Sequence, residues 1–156
     1  MSEARLWPYA LEVYGRPGGE AALLAAQDLH GQCIPYLLWA LWLVTRGGPA
    51  DSEAFAPGAA VARTWQDAVI APLRGLRRKL KAPVPAMPAE KQARLRERIR
   101  ALELEAERML LETLEAVSPA PAERGPDAAA ALAEAVRVWG GDVPAELLAR
   151  LAALGG

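Results

Sequence analysis

Arg74, Arg77, Arg78 and Lys81 stand three and four residues apart, the spacing that brings side chains onto one face of an α-helix. Four cations so arranged suit an anion: a phosphate, an acidic protein surface or a nucleic-acid backbone. They belong to a wider basic stretch. From Arg63 to Arg100 eleven arginines and lysines stand against three acids, a net +8, while the rest of the chain carries −9. The segment that follows supplies Glu103, Glu105, Glu107, Glu112 and Glu115. The competing reading is therefore internal pairing between neighbouring helices, the usual fate of charge runs. No aromatic residue interrupts the cations between Arg74 and Arg100, which argues against nucleic acid, and single strands above all.

A second polar constellation is the turn Gln27-Asp28-Leu29-His30-Gly31, with Cys33 just beyond it. His30 is the only histidine and Cys33 the only cysteine. Asp28, His30 and Cys33 offer mixed metal ligands, but too few and too irregularly spaced to define a site. The plainer reading makes Gly31 a left-handed helix cap and sets His30 near a helix C-terminus, where a cation is favoured. Gln27 and Asp28 then bond neighbouring backbone or an arginine. No serine or cysteine has an evident base, no glycine-rich loop cradles a phosphate, and no aspartate-rich helix pair awaits a magnesium-bound diphosphate. The sequence names no catalytic residue, no metal ligand and no cofactor.

The element that must position these groups is Gln32–Thr45, QCIPYLLWALWLVT, an uncharged run that is apolar on every side. Such a helix lies inside protein or lipid. A membrane span needs roughly 20 apolar residues, and Asp28, His30 and Arg46 close this run too soon. A buried central helix is expected. Apolar content is 53%, rich in alanine, with no period-two runs, so an all-α fold follows. A lone cysteine, with no basic apolar leader before the first helix, fits a reducing, cytoplasmic setting.

Taken in order, Ser2 is placed to cap a helix to about Tyr14, carrying Leu6, Trp7, Ala10, Leu11 and Tyr14 on one side. A second helix spans about 20–30, with Leu23, Leu24, Gln27 and Leu29 facing inward. The central helix follows at about 32–45. A loop, Ala50 to Pro57, leads to a fourth helix from about Gly58, which Pro72 should kink or split. Ala82 to Pro88 reads as a stiff, extended connector. A long helix, about 89–117, repeats Leu95, Ile99, Leu102, Ala106 and Met109, the seam of a helix lying lengthwise on another, or in a hairpin with the fourth. The expected organisation is a main bundle, 1–117, a linker, 118–126, and a C-terminal helical pair, 127–156, docked or semi-independent. Trp7, Trp39, Trp42 and Trp65 are expected in the core, and Trp139, beside Gly140 and Gly141, at the surface.

The run Trp7…Tyr14…Pro17-Gly18…Leu24…Gln27-Asp28…Gly31…Leu37-Leu38…Trp42, continued by Trp65, Pro72-Leu73-Arg74…Arg77-Arg78…Lys81 and Glu103-Leu104…Glu107-Arg108, resembles the signature of an uncharacterised proteobacterial family of small helical proteins. The resemblance covers about Leu6 to Leu114 and implies a fold, not an activity. It singles out Gln27, Asp28, Arg74, Arg77 and Lys81, with Asp28 meeting an arginine of the basic face inside the bundle. The functional expectation is a non-enzymatic protein that binds an acidic partner protein through its basic helix and its C-terminal hairpin, with Arg74, Arg77, Arg78, Lys81, Gln27 and Asp28 as the binding residues. The alternative is a bundle that binds a small ligand or an anion, phosphorylated or lipid-like, in a cavity beside the tryptophans. An enzyme of unrecognised type ranks last.

Overall fold

The computed structural model describes residues 5–121 and 127–156, so Ser2 and most of the 118–126 linker lie outside it. Among the described residues the protein is all-helical. The helices are α1 (Leu6–Tyr14), α2 (Gly19–His30), α3 (Ile34–Thr45), α4 (Ser52–Trp65), α5 (Ala71–Lys79), α6 (Ala89–Ala116), α7 (Ala128–Trp139) and α8 (Ala145–Leu154). A π-helical turn, Gln66–Ile70, joins α4 to α5. Among these residues no helix is long and apolar enough to cross a membrane.

The apolar run is the hub. Every residue from Gln32 to Leu43 is buried, and α3 packs against α1, α2, α4, α6 and α7. Tyr36, Leu37, Trp39, Leu41 and Leu43 are almost wholly out of water, each contributing roughly 2–3 kcal/mol. Their polar atoms are satisfied at long range. The Trp39 indole donates to Ser118 Oγ at 2.8 Å, and the Tyr36 hydroxyl to the Ala135 carbonyl at 2.7 Å. Trp39 also explains Gly58 on α4, where an added Cβ would stand 2.3 Å from the indole.

Several expectations need correction. α4 begins at Ser52, not near Gly58, because Asp51 accepts the Ala54 amide at 2.9 Å and caps the helix six residues ahead of Pro57. Pro57 is carried inside the helix. Pro72 does mark a break: it sits in the first turn of α5, and the π-helical turn just upstream absorbs the change. The Pro-rich connector is not simply extended. The Met87 amide returns to the Val84 carbonyl at 3.1 Å, around Ala86 with φ +67°. The Gln92 side chain pins the same loop, donating to the Leu80 and Ala82 carbonyls, both at 2.7 Å, and accepting from the Val84 amide. Leu29 points outward and is 75% exposed.

The register of α6 is the largest correction. Its buried line is Gln92, Ile99, Glu103, Ala106, Leu110 and Leu114. Of the expected seam Ile99 and Ala106 are buried, whereas Leu95, Leu102 and Met109 are about half exposed. An apolar-only reading gets only part of the line because Gln92 and Glu103 find partners on the connector and α5 that make their burial tolerable.

Trp139 is buried, not superficial. Its ring stacks on Tyr36 with centroids 5.3 Å apart, its indole nitrogen donates to the Gly31 carbonyl at 3.0 Å, and the Arg63 guanidinium covers it at 3.7 Å. α7 thus lies on α3 and α4, while α8 packs on α7 and α2. Leu132, Ala135, Leu147 and Leu151 join the same core cluster as α1 to α3.

Candidate functional site: the α5–α6 hairpin and the cleft beside it

α5 packs along α6, and the cations of α5 are divided by depth. Arg74, 8% exposed, donates from Nε to Glu103 Oε1 at 3.1 Å. Arg77 donates from Nε to Glu103 Oε2 at 2.6 Å and from Nη2 to Oε1 at 3.4 Å. One buried carboxylate therefore serves two guanidinium groups. Its hydrogen bond holds Arg77 above its ordinary pKa. Arg96 Nε in turn reaches the Arg77 carbonyl at 3.3 Å. A buried cluster of this kind must be complete, since removing one member strands the others without water.

Glu107, one turn beyond Glu103, is the less satisfied acid. Its nearest cation is Arg74 Nη2 at 3.7 Å, too far for a hydrogen bond, and no hydrogen bond to its carboxyl exists among the described residues. Burial pushes its pKa up to about 7 and the Glu103 charge adds to the rise, while Arg74 and Arg77 oppose it.

Arg78, one helical turn after Arg74, is more exposed than Arg74 or Arg77 and meets Asp28 of α2 at 2.8 Å. The Gln27 amide donates to the same carboxylate oxygen at 3.0 Å. That bond, with Arg78 adding to it, holds Asp28 below its ordinary pKa. The expected partnership of Asp28 with the basic face exists, but not inside the bundle: Arg78 is 55% and Asp28 41% exposed. Lys81 stands in solvent without an ion pair among the described residues, as do Lys79, Lys91 and Arg98. The six residues expected to bind are thus dispersed. Arg74 is structural, Arg77 and Gln27 border a cleft, Arg78 pairs with Asp28 at the surface, and only Lys81 is free.

A cavity beside the tryptophans was the alternative expectation, and a cleft does open beside Trp7, with a lining the sequence did not disclose. It holds about 760 Å³ between α1, α2, the start of α3, and α6. Trp7, Leu11 and Tyr14 form one wall, Leu24, Pro35 and Leu38 the floor, and Ala101, Leu104 and Leu111 the opposite wall. Arg77, Glu103 and Glu107 border it. The signal was present in the α1 stripe Trp7, Leu11, Tyr14, which is only partly covered by its own neighbours. Across the top, the Arg108 guanidinium sits 5.1 Å from the Trp7 ring.

The other turn residues do not converge on a metal. Cys33 is sealed in the core, and burial pushes its thiol up to about 12, so it carries no thiolate near neutral pH. Asp28 is engaged with Gln27 and Arg78. Gly31, with φ +64°, supplies the left-handed cap, and its exposed carbonyl end receives Trp139.

Residues 5–114 match a family described as "Protein of unknown function (DUF2390)". The chain belongs to that family. Neither a curated protein nor a solved structure matches it. The DUF2390 span contains the whole ion cluster and every residue of the cleft, whereas α7 and α8 lie beyond it.

Proposed function

We propose that this member of the DUF2390 family is a non-enzymatic, cytoplasmic binding module that holds an acidic partner protein on the outer end of the α5–α6 hairpin. One observation carries the reading. On α6, Lys91, Leu95, Arg98 and Leu102 follow each other at four, three and four residues, all exposed, and Leu76 and Lys79 repeat the alternation on α5. A surface that alternates free cations with half-exposed leucines suits an acidic, partly apolar protein segment. The site moves outward from the arginines first expected to bind, because Arg74 and Arg77 are committed to Glu103. A bare phosphate has no use for the leucines, and nucleic acid would call for stacking partners that the stripe lacks.

The test is charge reversal. The quadruple substitution K79E/K81E/K91E/R98E touches no paired residue and should leave folding intact. Capture of an acidic partner from lysate, and of polyglutamate as a defined mimic, should be strong in low salt, weaker in high salt and lost in the variant. Retention by the variant, or indifference to salt, would refute the reading. The small-ligand reading is supported by a different observation, the cleft.

A further inference from the structure

We propose that the cleft between α1, α2 and α6 binds an organic cation, an ammonium group carried on an apolar body, with its charge set against Glu107. The volume, about 760 Å³, lies within the range of about 300–1,000 Å³ typical of small-molecule sites. The walls provided by Trp7, Leu11, Leu24, Leu38 and Leu104 suit an aliphatic or aromatic body.

The sign of the charge follows from which groups are already spent. Arg77 borders the cleft but gives its Nε and Nη2 to Glu103, while Arg74 gives its Nε to Glu103 from behind and leaves Nη2 3.7 Å from Glu107, beyond hydrogen-bond reach. Glu103 is saturated by these two. Glu107 is not: its side chain is 26% exposed toward the cleft and accepts no hydrogen bond among the described residues. A primary ammonium entering the cleft supplies the missing donors as a charge-assisted pair, the strong kind of hydrogen bond. A carboxylate or phosphate would face Glu20, Glu97, Glu103 and Glu107 on the same walls. Its uncommitted counter-charges would be Arg100, the outer nitrogens of Arg96 and Arg77 Nη1, three cations against four acids.

Binding is then linked to a proton. The groups around Glu107 are Tyr14 on α1, Cys33 ahead of α3, Arg74 and Arg77 on α5, and Glu103 on its own helix, with Glu20 of α2 across the cleft. Near neutrality the carboxyl is partly protonated. The cation takes the carboxylate form, so a ligand bound below about pH 7 sends the Glu107 proton to solvent. For an acid titrating near 7 the ionised fraction grows roughly tenfold between pH 6 and pH 8, and affinity should follow it.

The experiment uses three ligands of closely matched shape: phenethylamine, 2-phenylethanol and phenylacetate, titrated into the full chain by calorimetry at pH 6, 7 and 8. Phenethylammonium should bind, the alcohol at least tenfold more weakly, and the carboxylate not at all. Its affinity should rise about tenfold from pH 6 to pH 8, with proton release measured by the dependence of the heat on buffer. E107Q should cost at least tenfold in affinity and abolish the pH slope. Because that substitution also alters the ion cluster, A101W serves as a second variant, filling the cleft from an exposed helical position without touching a charge, and it too should lose binding. Preference for the carboxylate would assign the cleft to Arg96 and Arg100 and overturn the proposal. So would binding that E107Q leaves unchanged, or a failure of all three to bind.

Discussion

At the inner half of the α5–α6 hairpin, Arg74 and Arg77 share the carboxylate of Glu103 and are largely withdrawn from water. Further out, Lys79, Lys81, Lys91 and Arg98 stand in solvent with no ion pair among the described residues. Residue type and helical spacing are much the same in the two regions, and depth separates them. Where α6 is covered by α1, α3 and α4, a cation must be answered or it unfolds its surroundings; at the open end it costs little to leave free. The teaching is that a basic helical face is not one object. It can be architecture in one turn and a surface in the next.

The sharpest way to break this contrast is to remove the shared acid. Glu103→Ala should lower the unfolding free energy by about 3–5 kcal/mol, as expected when a buried pair loses one member, measured by urea denaturation. If the apolar double variant R74M/E103L regains most of that loss, the penalty lies in stranded charge and not in the pair's own attraction. A loss below about 1 kcal/mol in E103A would place the inner half with exposed surface pairs and erase the distinction.

Glu107 gives the next effect, and its sign can be worked out. Its folded pKa of about 7 lies above the ordinary 4.5. The folded state therefore holds the proton more tightly, and stability falls as pH rises between about 4.5 and 7. At about 1.4 kcal/mol per pH unit the full difference is on the order of 3 kcal/mol. Glu107→Gln should flatten this slope, so that the variant gains on the parent from pH 5 to pH 8 in chemical denaturation. A parallel pH dependence in both proteins would count against a strained carboxylate there.

Away from the hairpin, Gly58→Ala forces a methyl group onto the Trp39 ring and should cost about 1–3 kcal/mol, a fall of several degrees in Tm. The smallest effect is expected at the exposed pair. Asp28→Asn should change stability by no more than about 1 kcal/mol in low salt, and by less in high salt, because both partners are well hydrated. A cost as large as that of E103A would mean that the surface pair belongs to the inner cluster after all.

Much of the fold was legible and the reasons are physical. An uncharged run such as Ile34–Thr45 has only one place to go, and glycine and proline punctuation bounds the other helices well. The register of α6 was only partly legible, because Gln92 and Glu103 are buried by virtue of partners up to 29 residues away that local periodicity does not see. Trp139 was misplaced for the same reason: its neighbours in sequence are glycines, its neighbours in space Tyr36 and Arg63. Of the candidate site, the possibility that Glu103 and Glu107 answer the arginines could be read from charge layout alone. The lining of the cleft could not, since it is made by the fit of α1 and α2 against α6.

The placement of α7 carries one more consequence. The stretch shared with the family stops at 114, yet Tyr36 gives its hydroxyl proton to the Ala135 carbonyl and has the Trp139 ring laid against it. A chain cut at the family boundary would leave an aromatic flank of its hub uncovered and a phenol bonded only to water.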